Sequence, residues 1–387
     1  MAQDTAQSHF KELKEWSERK QKVISNYLDG ASRIFGGSFV ATYYVDGFAG
    51  AGLYGEDGTA KKQGSPLRAA ELAQLYKDKK YKIELRCITV EENATNFQLL
   101  EEATKGYPSV KNLHGSFEDR LDDVLRLTKN YPLVCFLDPF GIKGVELATI
   151  QKLVNREAPT DIWLRFDVLS ALRKWGFFKP SAAQTADAEG QRRLLKQIYG
   201  INDAQGLFDS INGESTATRQ KNALELYKNQ LRNVMGSINK GNAYVESYRI
   251  GSLDEDEKYH LIFGCNHVRA IALASDIVYN VEEVYQEQVE DRRVTATGQY
   301  SLLALPESKD ALSERKLQDL EREIERLCKG KRMTFLQVHG LLISSPNRWF
   351  GLIKKNHVQQ AVKNLQERNA VVVKGRLPET SCQLEFA

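Results

Sequence analysis

Tyr44-Val45-Asp46-Gly47-Phe48-Ala49-Gly50-Ala51-Gly52 is an aromatic and β-branched run that breaks into alternating glycines. A strand ending this way lets a ligand approach the main chain, because glycine carries no Cβ to hold it off. In dinucleotide-binding folds the glycines are spaced G-x-G-x-x-G and a helix follows at once, so that its N-terminus holds a pyrophosphate. Here the spacing is G-x-x-G-x-G, and the next helical pattern starts only at Gly64-Ser65-Pro66, with Ser65 reading as the N-cap and Pro66 as the first helical residue. No P-loop lysine followed by Ser or Thr is present. A nucleoside ligand without phosphates fits this pattern better than a dinucleotide.

Around that stretch, strand and helix patterns alternate. Residues 43–46, 83–90, 110–113, 133–137 and 161–166 read as strands, and 66–76, 97–104, 121–127 and 145–154 as helices. This alternation predicts an α/β fold with a parallel sheet covered on both faces. The wholly apolar Val134-Cys135-Phe136-Leu137 suits a central strand. Upstream, 10–27 predicts an amphipathic helix anchored by Trp16, Val23 and Tyr27, whereas 170–240 loses the strand pattern and reads as a helical insertion. Strands return at 244–250 and 260–263. The short acidic loop Leu253-Asp254-Glu255-Asp256-Glu257 between them predicts an antiparallel hairpin rather than a crossover. The C-terminal order is helix (315–328), helix (334–342), helix (357–369), then a hairpin (370–374 and 382–386), which predicts a winged-helix-like domain. The division expected from sequence is a Rossmann-like domain over 1–305 and a basic domain over 306–387.

The net charge of +3 is uninformative, but its distribution is not. Between Lys329 and Arg376 the basic residues include Lys354, Lys355, Lys363, Arg368 and Lys374, and Glu367 is the only acid. Such a segment suits nucleic-acid contact, or equally a protein-docking or dimerisation surface with solvated charges. No apolar stretch approaches the roughly 20 residues that span a bilayer, and the polar N-terminus has no signal-peptide core, so a cytoplasmic location is expected. The five cysteines are scattered with no C-x-x-C pair, which predicts buried thiols and neither a zinc nor an iron–sulfur site.

Several residues then fall on successive strand ends. Asp46, Gly47, Phe48, Gly50 and Gly52 form the glycine loop. Glu91, with Glu92 beside it, ends the second strand where a carboxylate accepts ribose hydroxyls; Ser116 and Phe117 follow the third, where they can line an adenine. S-adenosylmethionine, a nucleoside with a charged amino-acid end and no phosphate, suits that set. Each residue also has a plain structural role open to it: Glu91 beside a helix N-cap, Ser116 as a turn former. Asp138-Pro139-Phe140-Gly141 follows the apolar fourth strand. Asp138 and the Pro139 carbonyl can accept hydrogen bonds from an exocyclic amine while Phe140 stacks on a planar base; alternatively Asp138 caps the loop and Pro139 merely ends the strand. Arg165, with Arg173, Lys174 and Trp175 beyond it, could hold substrate phosphates and a base face, or form a surface ion pair beside a core tryptophan.

Taken as a set, Val45 to Gly52, Gly64-Ser65-Pro66-Leu67, Val90-Glu91-Glu92-Asn93, Leu137-Asp138-Pro139-Phe140-Gly141 and Leu261-Ile262-Phe263-Gly264 resemble the three-Cys-motif partner protein family (TcmP), over roughly 8–285. That resemblance implies a Rossmann-like methyltransferase fold and a partner protein carrying a three-cysteine, radical-enzyme-like motif. Phe48-Ala49-Gly50-Ala51-Gly52 is also similar to the cofactor motif of DNA and RNA amino-methyltransferases, which usually carry Asp-Pro-Pro and an aromatic where this chain has Asp138-Pro139-Phe140-Gly141. No Pro-Cys pair follows the fourth strand, so a cytosine-carbon mechanism is not expected. The function expected is methyl transfer to a nucleic-acid amine; the alternative is a non-catalytic adaptor that binds the partner protein and nucleic acid.

Overall fold

In a computed structural model, which describes residues 15–55, 62–179, 185–237, 243–251, 259–297 and 313–387 except 345, 348 and 380, the chain divides into two units, Met1–Asn266 and His267–Ala387. The acidic loop 253–257 and residues 10–14 lie outside the described residues.

The first unit begins with α1 (Glu15–Phe35), β1 (Ala41–Asp46), the short pair β2 (Leu53–Tyr54) and β3 (Lys62–Gln63), and α2 (Ser65–Asp78). It continues through β4 (Glu84–Glu91), α3 (Ala94–Thr104), β5 (Val110–His114), α4 (Phe117–Thr128), β6 (Leu133–Leu137), α5 (Leu147–Val154) and β7 (Thr160–Phe166). Helices α6 (Val168–Trp175), α7 (Ala186–Tyr199), α8 (Ala204–Ile211) and α9 (Thr216–Gly236) precede β8 (Tyr244–Ile250) and β9 (Tyr259–Cys265). The seven-stranded sheet runs β5-β4-β1-β6-β7-β9-β8. Strands β5 to β7 in that order are mutually parallel, and β9 is antiparallel to both its neighbours, β7 and β8. The expected α/β sheet and its terminal antiparallel hairpin are therefore both present.

Period-two alternation sorts each strand's side chains onto two faces. On one face, Val45, Cys135, Leu137, Ile162, Leu164 and Phe166 join a core completed by residues of α4 to α9. On the other, Tyr27 of α1 packs edge-on against Trp163 (5.4 Å) and Phe263 (4.9 Å), and its hydroxyl donates to Asp161 Oδ2 at 2.7 Å. The helical stretch between β7 and β8 is part of the core rather than an appendage: Tyr227 stacks on Phe166 at 4.4 Å, and Leu195, Leu207, Leu231 and Met235 are fully buried.

Local chemistry starts the helices. Asn93, Ser116 and Asp167 cap α3, α4 and α6 by accepting from Asn96 N, Asp119 N and Ser170 N. Helix α2 departs from expectation. Gly64 is its N-cap, with no side-chain cap bond, and Ser65 is its first residue. The Ser65 hydroxyl instead stands near Asp46 of the glycine loop, where it favours the ionised carboxyl.

The second unit contains α10 (Val268–Thr297), α11 (Glu314–Cys328), β10 (Arg332–Thr334), α12 (Phe335–Ile343), α13 (Lys355–Glu367), β11 (Val371–Lys374) and β12 (Gln383–Phe386). Its antiparallel sheet runs β10-β12-β11. Helix α10 belongs here, upstream of the 305/306 boundary read from sequence: Ser275 Oγ accepts from Gly351 N at 3.0 Å and Asp276 Oδ1 from Lys355 N at 3.0 Å. All five cysteines are free and buried, as expected. Among the described residues, no helix is long and apolar enough to cross a membrane.

Candidate active site

The carboxyl ends of β1, β4, β6 and β7 lie side by side, because these strands are parallel neighbours, and open sheets bind ligands at that edge. At the end of β1, Asp46 is fully buried and accepts from Phe48 N (3.3 Å) and the Tyr44 hydroxyl (3.2 Å). Burial pushes its carboxyl up to about 6, against those hydrogen bonds. The glycines that follow serve different ends. Gly50 and Gly52 adopt left-handed φ of 63° and 77°, which turn the loop. At Gly47 φ is unexceptional, but an added Cβ would sit 2.6 Å from Leu137 Cδ2 and 2.9 Å from Phe117 Cδ2. The chain needs glycine there for packing beneath the loop. Phe48 likewise packs onto Gly144.

Glu91 at the end of β4 secures the loop: Oε2 accepts from Gly50 N and Oε1 from Asn93 N, both at 2.8 Å. A carboxylate offers about four lone-pair sites, so each oxygen keeps one for a ligand hydroxyl. Glu92 is exposed and turned to solvent. At the end of β5, Ser116 accepts from Asp119 N (3.1 Å) and donates to Asp119 Oδ2 (2.6 Å), while Phe117 is 3 % exposed beneath Gly47. Ser116 thus caps α4, and Phe117 packs beneath the loop with its ring 6.2 Å from that of Phe48.

Asp138, Pro139 and Phe140 end β6. Two cations meet them: Arg165, which the sequence placed at this edge, and Lys20, which it did not. Asp138 Oδ2 pairs with Lys20 Nζ of α1, and Arg165 Nη1 of β7 donates to the Pro139 carbonyl at 3.3 Å while standing 3.8 Å from Asp138 Oδ1. Both cations lie over the ring of Tyr259 on β9, Arg165 at 4.6 Å and Lys20 at 5.8 Å. Asp138 Oδ1 and the Tyr259 hydroxyl are buried yet have no hydrogen-bond partner among the described residues. Buried polar atoms without a partner are uncommon in folded proteins, and each calls for an explanation, ordered water or a ligand among them. Phe140, by contrast, is 66 % exposed, a large aromatic ring at the mouth of the crevice.

The structure therefore brings together Asp46, Gly50, Gly52, Glu91, Asp138, Pro139 and Arg165, and adds Lys20 and Tyr259. The residues after β7 do not join them: Trp175 stacks on Phe208 at 4.9 Å in the core, Arg173 donates to Ser170 Oγ and Lys174 to Gln191 Oε1.

In the second unit the basic segment is partly neutralised by acids from outside it. Arg368 pairs with Glu321 (2.6 Å), Lys374 with Glu385 (2.7 Å) and Lys354 with Glu283 (3.7 Å). Lys355 and Lys363 are exposed on α13.

No protein-family model and no curated protein match the chain, so the likeness to the three-Cys-motif partner family rests on motifs alone. Among solved structures, the chain is similar to a Legionella pneumophila protein of family model DUF519 (11 % identity, 64 % of this chain and 85 % of that one, TM-score 0.36). It is also similar to an O-methyltransferase from Bacillus cereus in complex with SAH (12 % identity, 63 % and 80 % covered, TM-score 0.31). A dimethyladenosine transferase from Plasmodium falciparum matches over 89 % and 96 % of the chains at 10 % identity and TM-score 0.28. Overlaps this loose carry no weight; the α/β architecture rests on the observed strand order.

Proposed function

We propose that this crevice binds S-adenosylmethionine and directs methyl transfer to an amino group of a nucleic-acid base. The observation that carries the reading is the open, buried Asp138 Oδ1 at the sheet's carboxyl edge, one strand away from a glycine loop pinned by Glu91. The cofactor would lie along Gly50 to Gly52, with the free lone pairs of Glu91 accepting ribose hydroxyls. It supplies a methyl group already activated by its sulfonium. The protein's part is positioning: Asp138 Oδ1 and the Pro139 carbonyl accept the two N–H bonds of an exocyclic amine, which aims its lone pair, and the exposed Phe140 ring stacks on the base. A base from a duplex must leave its stack to reach this depth.

The order of elements in the second unit supports reading it as a winged helix that recruits nucleic acid through α13, with Lys363 and Lys355 as phosphate contacts. A radical-enzyme-like partner with a three-cysteine motif is part of the same proposal. The second reading, a non-catalytic adaptor, is favoured by one observation: the Pro139 carbonyl already accepts from Arg165.

Calorimetry with S-adenosylmethionine and S-adenosylhomocysteine on the full chain tests the cofactor. Absence of binding to both sinks the proposal. The Asp138→Ala variant is expected to keep cofactor affinity and to lose transfer of a tritiated methyl to nucleic acid by about 100-fold or more. Unchanged transfer would instead remove Asp138 from the chemistry.

A further inference from the structure

Helix α1 buries Arg19, Lys20, Val23, Ile24, Tyr27, Leu28 and Ala31, steps of three and four that form one stripe against the sheet. Lys20 continues the apolar face set by Val23, Ile24 and Tyr27, with its side chain only 9 % exposed. Burying an ammonium there is costly, and a buried ion pair gives little or no stability over apolar residues of similar size. Stability alone does not account for a lysine at this position.

Its geometry does. Lys20 Nζ passes 5.8 Å from the ring centres of both Phe136 and Tyr259 to reach Asp138 Oδ2. Arg165 Nη1 spends its hydrogen bond on the Pro139 carbonyl and, at 3.8 Å, is too far to bond Oδ1. One oxygen of Asp138 is thus held and the other is open. The terminal torsion of an aspartate is broad and roughly two-fold, so an unanchored carboxylate does not present a fixed lone pair.

We propose that Lys20 is a positioning residue of the methyl-transfer site: it fixes Asp138 through Oδ2, so that Oδ1 faces the acceptor amine. This rests on the reading of the crevice as a site of amine methylation. In these terms α1 is part of the active centre, and the sheet edge alone is incomplete.

The test compares Lys20→Met, which keeps the stem, with Lys20→Arg, which keeps the cation, in the full chain. The first measurement needs no acceptor. With aspartate labelled at 13Cγ and the Asp138 resonance assigned by its loss in Asp138→Asn, Lys20→Met is expected to shift or broaden that resonance. Lys20→Arg is expected to return it toward the wild-type position. An unchanged resonance in Lys20→Met overturns the proposal. The second measurement follows tritiated methyl transfer from S-adenosylmethionine to total RNA and to single-stranded DNA. Lys20→Met is expected to lower kcat on the order of 100-fold, with KM for the acceptor and the calorimetric affinity for S-adenosylmethionine little changed, and Lys20→Arg to recover most of the loss. Equal loss in both variants with cofactor binding also gone marks Lys20 as merely structural and overturns the proposal. Wild-type protein that binds no S-adenosylmethionine tells against the functional reading itself, while the Asp138 resonance still decides whether Lys20 holds the carboxylate.

Discussion

Gly47→Ala separates two explanations of the glycine loop. A Cβ at this position would lie 2.6 Å from Leu137 Cδ2 and 2.9 Å from Phe117 Cδ2, about 1 Å inside normal carbon–carbon contact. Neither neighbour has room to retreat, since Leu137 is 0 % and Phe117 3 % exposed. The backbone at Gly47 is not left-handed, so the whole penalty is packing. Overpacking of this kind costs about 1–3 kcal/mol, and a unit of this size loses about 2–4 °C in Tm for each kcal/mol. The unfolding transition of the first unit is therefore expected to fall by roughly 2–12 °C. A double-mutant cycle fixes the cause. Leu137→Ala alone removes a buried side chain and costs about 2–5 kcal/mol, but it also empties the space that the new methyl needs. Adding Gly47→Ala to it should cost less than in the wild type, with a coupling of about 0.5–3 kcal/mol. Denaturant unfolding of the four proteins, followed by a signal from the first unit, gives the numbers. A Gly47→Ala protein with wild-type stability that has lost S-adenosylmethionine binding would refute the packing argument and return the glycine to the role of making room for a ligand.

Two further outcomes are expected. Burial pushes the Asp161 carboxyl up to about 7, with the Tyr27 hydroxyl its donor. A raised folded-state value means that the contribution to stability is complete below about pH 4 and is lost as pH rises toward 7, at roughly 1.4 kcal/mol per pH unit. Asp161→Asn, whose carbonyl still accepts from Tyr27, should flatten the stability–pH profile between about pH 4 and 7 relative to wild type; equally steep profiles count against it. In duplex binding measured against salt, Lys363→Ala should reduce the log–log slope by about 0.9, whereas Lys374→Ala, already paired with Glu385, should change it less. A larger effect from Lys374 would mean that the wing, and not α13, meets the phosphates.

Most of the architecture was legible because it rests on local pattern. The β6 run Leu133–Leu137 declared its burial on both faces through its composition, and the polar break before Tyr259 identified β9 as antiparallel. What stayed hidden depends on distant partners. Ser65 reads as a cap in its own dipeptide, but its hydroxyl is drawn to Asp46, nineteen places upstream in the numbering. Gly47 reads as a ligand glycine because Leu137 and Phe117, which need its missing Cβ, come much later in the chain. The charge of the C-terminal segment was overstated for the same reason: Glu321, Glu385 and Glu283 all lie outside the window that looked cationic. Lys20 did leave a trace, a charge on the stripe of Val23, Ile24 and Tyr27, and a charge placed on an apolar face is itself a signal that something opposite requires it.

The position of β9 between β7 and β8 has a consequence for how the chain is made. Strand β8 leaves the ribosome first, yet among the described residues its one neighbour in the sheet is β9. The parallel strands through β7 can assemble as they emerge, but the growing sheet then ends on an open β7 edge that β8 cannot close. Until Tyr259 to Cys265 appear, β7 has an open edge and β8 has no partner, and unpaired edges invite association with other chains. At synthesis rates of about 5–20 residues per second, that interval is brief, and it ends when the seven-residue β9 is available to pair with both strands. The last strand of this sheet to be made is thus the one that joins β8 to it, and the same strand carries Tyr259 to the crevice.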